Sequence, residues 1–238
     1  MARDHALALS LGTDEGALRL YRWDPPAVSF GRNEPAAGLY SEAAAAAEGV
    51  SFVRRPTGGR AVLHHKELTY SLVFGAGHFG GPKKSYRLIN EGLLAGLTSL
   101  GAAAELASGT GPALPPDAGP CFRAPAEGEV TALGRKLVGS AQVRLGDRIL
   151  QHGSLILDGD QGALGRIRGD GEDVPSPATV RGLLGMVPDV ELLARSLKEG
   201  LALALGGDWK EGEFRAEEER AARELEARYL DPGWTWRV

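Results

Sequence analysis

Cysteine is almost absent from this sequence, since Cys121 is the only one among 238 residues. A single cysteine cannot form an internal disulfide, which predicts a protein of a reducing compartment. No run of apolar residues approaches the ~18 that a membrane-spanning helix requires. The opening residues MARDHALALSLGTDEG carry charges throughout and lack the apolar stretch of a signal peptide. These absences predict a cytoplasmic protein that does not contact membranes.

The formal net charge is −4, which argues against nucleic acid as a partner of the whole surface. Basic residues nevertheless concentrate in the central third of the chain. They are Arg54, Arg55, Arg60, Lys66, Lys83, Lys84, Arg87, Arg135, Lys136, Arg144 and Arg148. This concentration predicts either an ordinary solvated face or a docking face for an acidic partner.

The hydrophobic pattern predicts an α+β fold, in which helices pack on a mixed, mostly antiparallel sheet within one domain spanning residues 1–238. Alternating apolar residues predict strands over 18–23, 27–31, 51–55, 60–64, 67–74, 129–133, 136–145 and 148–157. Apolar residues at helical spacing and an alanine run predict helices over 41–49, 85–100, 190–205 and 213–229. The part of the chain from about residue 185 to 238 is expected to be mainly helical.

The segment RRPTGGRAVLHH is the first candidate site. Thr57 leads into Gly58 and Gly59, a pair that lets the backbone turn sharply and approach a ligand closely. Backbone N–H groups of such a turn can bind a carboxylate, phosphate or carbonyl oxygen, and Arg55 and Arg60 add positive charge. A plain glycine hairpin between two strands explains the same residues. The arginines before the turn and the histidines after it favour a binding site.

The segment GRKLVGSAQ is the second candidate site. Gly139, Ser140 and Ala141 form a patch of small residues, typical of a strand that another backbone or a ligand approaches closely. Lys136 precedes the patch and would share its face only if the strand is kinked or begins after the lysine. An ordinary solvated lysine at a strand edge is the alternative.

Cys121 stands fifteen positions before Lys136, where the loop predicted by SGTGPALPPDAGP ends. The thiolate is the nucleophilic form of cysteine, and a nearby ammonium lowers the pKa of a thiol from its free value of about 8.5. The pair is therefore suited to holding an acyl group as a thioester. A cysteine packed inertly in a core is the alternative.

The histidines His64, His65 and His152 raise the question of a metal site. Adjacent histidines in a strand project to opposite faces, and no cysteine or carboxylate stands at zinc-finger spacing. We therefore expect no metal. His64 or His152 is expected to form a hydrogen bond near the glycine turn or to be buried with a partner.

Three segments, RRPTGGRAVLHHKELTYSLV, GRKLVGSAQ and ILQHGSLIL, together resemble the lipoate ligase, octanoyltransferase and biotin ligase superfamily. The opening MARDHALAL, the following LRLYRWDPPAVSFGRNEP and the ending LEARYLDPGWTW are also similar to that superfamily, so the resemblance covers most of the chain. It implies a mixed sheet flanked by helices, related to the catalytic core of class II aminoacyl-tRNA synthetases. PCFRAP ahead of GRK most resembles the cysteine-dependent octanoyl-[acyl carrier protein]:protein N-octanoyltransferases.

The resemblance also implies roles for individual residues. It places the nucleophile at Cys121 and the lysine that lowers the thiol pKa at Lys136. Substrate binding is implied at the glycine turn and at a second wall formed by the GSA and HGS residues. The expected binding residues are Arg55, Thr57, Gly58, Gly59, Arg60, Ala61, His64, Gly139, Ser140, Ala141, His152, Gly153 and Ser154.

The reaction implied by the resemblance has two halves. Cys121 takes an octanoyl group from octanoyl-acyl carrier protein and then gives it to a lysine of a lipoyl domain or a glycine-cleavage H-type protein. Conversion of a thioester to an amide is downhill, so no ATP and no cofactor are expected. Three alternatives remain open: an ATP-dependent lipoate ligase, an octanoyl amidotransferase between carrier proteins, and a carrier-binding scaffold with an unreactive Cys121.

Overall fold

Helices and strands alternate irregularly along the chain. The computed structural model describes residues 1–108, 122, 126–169, 174 and 176–238. The elements in these residues are α1 (Ala2–Ser10), β1 (Ala17–Tyr21), β2 (Ala27–Phe30), α2 (Glu42–Ala47), β3 (Ser51–Arg54), β4 (Val62–His64), β5 (Glu67–Gly75), a 3₁₀ turn (His78–Gly80), α3 (Pro82–Ser99), β6 (Glu105–Leu106), β7 (Val130–Ala132), β8 (Arg135–Lys136), β9 (Val138–Leu145), β10 (Arg148–Ile156), α4 (Gly162–Arg168), α5 (Val180–Leu184), α6 (Val190–Leu205), α7 (Ala216–Leu230) and α8 (Pro232–Thr235).

An antiparallel sheet of four strands, in the order β1-β5-β10-β9, organises the fold. Its two central strands, β5 and β10, are buried at every position. Alternate residues of a strand face opposite sides of a sheet, and β5 follows this rule. Leu72 and Phe74 join the core formed with α3 and α6, whereas Val73 packs with Leu7 of α1 and Leu150 of β10. Helices therefore cover the sheet on both faces.

The described residues also form two smaller sheets of three strands each. In the order β3-β2-β4, strand β2 pairs in parallel with β3 and antiparallel with β4. A second small sheet has the antiparallel order β6-β7-β8. The prediction of an α+β fold with a mixed, mostly antiparallel sheet flanked by helices is confirmed.

The predicted strand 136–145 is two strands, and this correction decides where Lys136 lies. Strand β8 ends at Lys136 and pairs with β7, whereas β9 begins at Val138 and pairs with β10. Leu137 connects the two sheets, since its N–H donates to the Val130 carbonyl and its own carbonyl accepts from the Ile156 N–H. The alternation of side chains is therefore interrupted at Leu137. This break allows Lys136 to lie on the same face as Gly139, which an unbroken strand would not.

The basic central third of the chain is only partly exposed. Arg54, Arg55, Arg60 and Lys136 are buried, so they cannot present charge to a partner's surface. Arg54 instead donates hydrogen bonds to the backbone carbonyls of Gly31, Glu34 and Thr235. The exposed basic residues of this region are Lys66, Lys83, Lys84, Arg87, Arg135 and Arg144.

Within the described residues, no helix combines the length and the apolar character needed to cross a lipid bilayer. A cluster of three or more His, Cys, Asp or Glu side chains suited to a metal ion is likewise absent from that part of the chain.

Candidate active site

A pocket of about 420 Å³, including its open mouth, lies between the four-stranded sheet and the β3-β2-β4 sheet. Strand pairing sets its floor, because Ser154 of β10 lies opposite both Thr69 of β5 and Gly139 of β9. The side facing this floor is provided by Ser29, Val62 and His64, and by the turn that carries Gly59. Small residues on three adjacent strands leave the space open.

Gly153 shows how tightly the floor is packed behind the pocket. A Cβ at Gly153 would lie 2.5 Å from the Gly139 carbonyl oxygen and 2.5 Å from Cε1 of Tyr70. Neither neighbour can move freely, since both belong to paired strands of the same sheet. Glycine is therefore required here for steric reasons.

Arg55 holds the glycine turn in shape. Its Nη1 donates to the Ser29 carbonyl at 2.7 Å, and its Nη2 donates to the carbonyls of Gly58 and Arg60 at 2.9 and 2.8 Å. The guanidinium thus satisfies backbone carbonyls on both sides of the turn and on β2. Arg55 both lines the pocket and shapes the turn beside it.

Gly31 allows the same turn to pack against β2. A Cβ at Gly31 would lie only 1.7 Å from the Gly59 carbonyl oxygen. Gly59 itself has φ of +88°, a conformation that glycine adopts far more readily than other residues. Gly31 and Gly59, 28 positions apart in sequence, are therefore both needed to bring the turn to the pocket.

Thr57 and His152 connect the turn to the floor. The Thr57 hydroxyl and His152 Nε2 share a hydrogen bond of 2.6 Å, and both side chains are buried. Burial lowers the pKa of His152 to about 3, so the imidazole is neutral at physiological pH. His152 Nδ1 has no hydrogen-bond partner among the described residues. A neutral histidine of this kind positions neighbours, and it is a poor proton acceptor.

His64 covers a buried carboxylate on the other side of the pocket. Its Nε2 lies 2.8 Å from the Ser29 hydroxyl, and its ring stacks on Trp23 with 4.6 Å between the ring centres. Beneath it, the hydroxyls of Thr69 and Ser154 donate to Glu67 at 2.8 and 2.6 Å. This end of the pocket is consequently polar and rigid.

Ser140 connects the floor to helix α3. Its hydroxyl accepts from Tyr70 at 2.7 Å and donates to Asn90 at 3.1 Å. Burial raises the pKa of Tyr70 to about 12 and outweighs the lowering effect of its hydrogen bonds with Gln151 and Ser140, so the phenol remains a donor. Both hydrogen-bonding directions of the Ser140 hydroxyl are thus used within the protein.

Lys136 is buried behind the Gly139 wall and is paired with a carboxylate. Its Nζ lies 2.7 Å from Oε1 of Glu129, and the side chains of the two residues are 3% and 5% exposed. A Cβ at Gly139 would lie 3.4 Å from Cε of Lys136 and 3.1 Å from the ring of Phe122. Phe122 packs in turn with Val62 and Ile156. The lysine therefore lies directly behind one wall of the pocket.

The structure places most of the expected binding residues together. Those that line the pocket are Arg55, Gly59, His64, Gly139, Ser140, Ala141, His152, Gly153 and Ser154. Thr57, Gly58 and Arg60 act on the shape of the turn from outside the lining, and Ala61 packs into the core around Phe30. Cys121 lies outside the described residues.

Sequence reasoning missed several residues of the site. Ser29, Val62 and Thr69 line the pocket, and Glu129 pairs with Lys136. A signal for Glu129 was available. A Leu-Gly turn joins β7 to β8 and places Thr131 opposite Lys136, so Glu129 lies diagonally across from the lysine. Opposite charges at such diagonal positions interact.

Comparison with known proteins gives consistent matches. Residues 1–193 match the family model described as the lipoyl protein ligase A/B catalytic domain. Octanoyltransferase LipM of Kyrpidia tusciae is 42% identical and covers 100% of this chain and 93% of the relative. Octanoyltransferase LipM of Symbiobacterium thermophilum is 38% identical with the same coverage of both chains.

Solved structures share the architecture. A bi-partite lipoate protein ligase from Thermoplasma acidophilum, described with its E2 lipoyl domain, superposes with a TM-score of 0.80. The match covers 99% of this chain and 89% of that one, at 23% identity. Identity this low shows a common fold and carries no further argument about chemistry.

Proposed function

The chain belongs to the lipoyl protein ligase A/B catalytic domain family, and we propose that it transfers an octanoyl group to a lysine of a lipoyl-domain carrier protein. The observation that carries this proposal is the match along the whole chain to curated octanoyltransferases. The position of Lys136 behind the Gly139 wall of the pocket supports it.

In the proposed first half-reaction, the thiolate of Cys121 attacks the thioester carbonyl of octanoyl-acyl carrier protein. A new C–S bond forms to Cys121, the C–S bond to the phosphopantetheine sulfur breaks, and the departing thiolate takes up the proton that Cys121 gave up. The ammonium of Lys136 is proposed to favour the thiolate. The Lys136 ammonium lies 5.5 Å from the ring centre of Phe122, the residue that follows Cys121 in the sequence.

In the second half-reaction, the ε-amine of the acceptor lysine attacks the acyl-cysteine. A C–N bond forms, the C–S bond breaks, and the proton lost by the amine is taken up as the Cys121 thiol is restored. We assign the tetrahedral oxyanion to backbone N–H groups of the Gly58-Gly59 turn. Loss of one such donor typically costs about 3 kcal/mol of transition-state stabilisation. Since a thioester becomes an amide, neither ATP nor a cofactor is required.

The lining of the pocket is suited to an acyl chain. Its floor consists of small residues, and Val62 contributes an aliphatic surface that continues to Phe122 and Ile156. Neutral His152 adds no charge beside the chain. We therefore assign the octanoyl chain to this pocket.

A transfer assay tests the proposal. Wild-type protein is mixed with octanoyl-acyl carrier protein and an unmodified lipoyl domain, without nucleotide. The mass of the lipoyl domain is then measured by intact-mass spectrometry. We expect octanoylation by the wild type and by the exposed-lysine control Lys210→Ala, and strongly reduced transfer by Lys136→Ala. Modification only when ATP and free octanoate or lipoate are supplied would overturn the proposal in favour of a ligase. Transfer only from an octanoylated H-type protein would favour an amidotransferase.

A further inference from the structure

Glu129 is a buried carboxylate with both oxygens engaged. Oε1 accepts from the Lys136 ammonium at 2.7 Å, and Oε2 accepts from the backbone N–H of Ala126 at 2.8 Å. The carboxylate therefore has one defined orientation. Ala126 directly follows residues 123–125 in the sequence, so the carboxylate connects the lysine to the part of the chain that follows Cys121.

Stability alone is a weak reason for such a pair. Removing two charges from water costs several kcal/mol per ion, and apolar replacements of buried ion pairs are often neutral or stabilising. A buried ion pair beside a pocket therefore calls for a role other than stability. In this protein the lysine of the pair is the one assigned to the acyl-transfer step.

The surroundings of the pair restrict the lysine from two directions. Glu129 holds the Nζ atom, while Gly139 and the ring of Phe122 confine the end of the side chain from the pocket side. Tyr86 of α3 approaches Oε1 of Glu129 at 3.5 Å. Burial is the main cause of the raised pKa of Tyr70, and the charge of the Glu129 carboxylate raises it further by a smaller amount.

We infer that Glu129 is a positioning residue for acyl transfer, which keeps the Lys136 side chain charged and directs it toward the pocket wall. This inference rests on the proposed function, because it requires Lys136 to act on the Cys121 thiol. Without the carboxylate, burial favours the neutral form of an amine. The thiolate would then lose the positive charge that stabilises it.

Glu129→Gln is the most direct test, because glutamine keeps the size and an acceptor oxygen but removes the charge. Rapid-quench measurement of Cys121 acylation from octanoyl-acyl carrier protein should show a rate lower by on the order of a hundredfold, as for other displaced catalytic groups. The KM for the carrier protein should change little. The midpoint of Cys121 alkylation by iodoacetamide should move to higher pH, as it should in Lys136→Ala.

Three further variants separate positioning from a structural effect. Glu127→Gln changes an exposed glutamate two residues away and should leave the rate and the alkylation profile unchanged. Glu129→Asp keeps the charge and should recover part of the rate. In a double-mutant cycle, Glu129→Gln should cause no additional loss in the Lys136→Ala background, since the carboxylate acts through the lysine.

The outcomes distinguish this inference from the proposed function. If wild type acylates Cys121 but a folded Glu129→Gln variant has the wild-type rate and alkylation profile, the inference is wrong and the function stands. A midpoint that moves to lower pH, or losses that are additive in the double variant, would also overturn it. If wild type forms no acyl-cysteine at all, the proposed function itself fails.

Discussion

Acid should destabilise this protein through His152. The imidazole is buried and shares a hydrogen bond with Thr57, and its pKa is lowered to about 3 by burial. In the unfolded chain the same imidazole has a pKa of about 6.5. The unfolded state therefore binds a proton first as pH falls, and the native state loses stability from about pH 6.5 down to about pH 3.

The magnitude follows from these two pKa values. Between pH 7 and pH 5, His152 alone should remove about 2 kcal/mol from the free energy of unfolding, at up to about 1.4 kcal/mol per pH unit. His152→Gln removes the titrating group while keeping hydrogen-bonding capacity near Thr57. The variant should be less stable than wild type at pH 7 but should lose about 2 kcal/mol less on acidification.

Urea unfolding at pH 7, 6 and 5, followed by tryptophan fluorescence, measures this difference. His65→Gln is the matched control, because His65 is an exposed histidine of the same chain and should give the wild-type pH dependence. The remaining histidines contribute equally to all three proteins. If acidification lowers the free energy of unfolding equally in wild type and in His152→Gln, then burial does not hold His152 neutral. The description of His152 as a neutral residue of the pocket would then be wrong.

Further substitutions test the steric claims. Gly31→Ala would place a Cβ 1.7 Å from the Gly59 carbonyl oxygen, so octanoyl transfer should fall at least about tenfold while circular dichroism stays native. Gly212→Ala, whose Cβ meets nothing within 4 Å and which lies outside the pocket lining, is its control and should retain wild-type transfer. Gly153→Ala should destabilise the protein by about 1–3 kcal/mol in urea unfolding, because the added methyl group overpacks against Tyr70. Wild-type activity of the first variant, or wild-type stability of the last, would contradict the described packing.

Local patterns predicted much of the fold. The helix expected over 190–205 coincides with α6, because its apolar spacing is regular and Asp189 caps its first turn. The two strands joined at Gly146-Asp147 form the predicted hairpin of β9 and β10. In both cases the decisive interactions lie within a few residues of one another along the chain.

The interior of the site depends on contacts between distant residues. No local pattern shows that Arg55 donates hydrogen bonds to the carbonyls of Gly58 and Ser29. Nor does any local pattern show that the Gly59 carbonyl leaves no space for a side chain at position 31. The position of Lys136 likewise depends on a change of pairing partner at Leu137, from β7 to β10. Such features become visible only when the strands have been assembled into sheets.

Family motifs partly replaced this missing information. They placed nine residues that do line one pocket, although these come from distant parts of the chain: the glycine turn with β4, and the β9–β10 hairpin. They did not identify Glu129, because its importance comes from the ion pair with Lys136 rather than from the GRK motif itself. The roles of Cys121 and Lys136 stay predictions until acylation is measured.

The central claim is that an octanoyl thioester forms on Cys121. Intact-mass spectrometry after mixing the protein with octanoyl-acyl carrier protein tests it most directly, followed by peptide mapping and treatment with hydroxylamine. We predict one hydroxylamine-labile octanoyl adduct on Cys121 of the wild type and no adduct on Cys121→Ser. Continued octanoyl transfer by Cys121→Ser, or an adduct mapped to another residue, would contradict the claim.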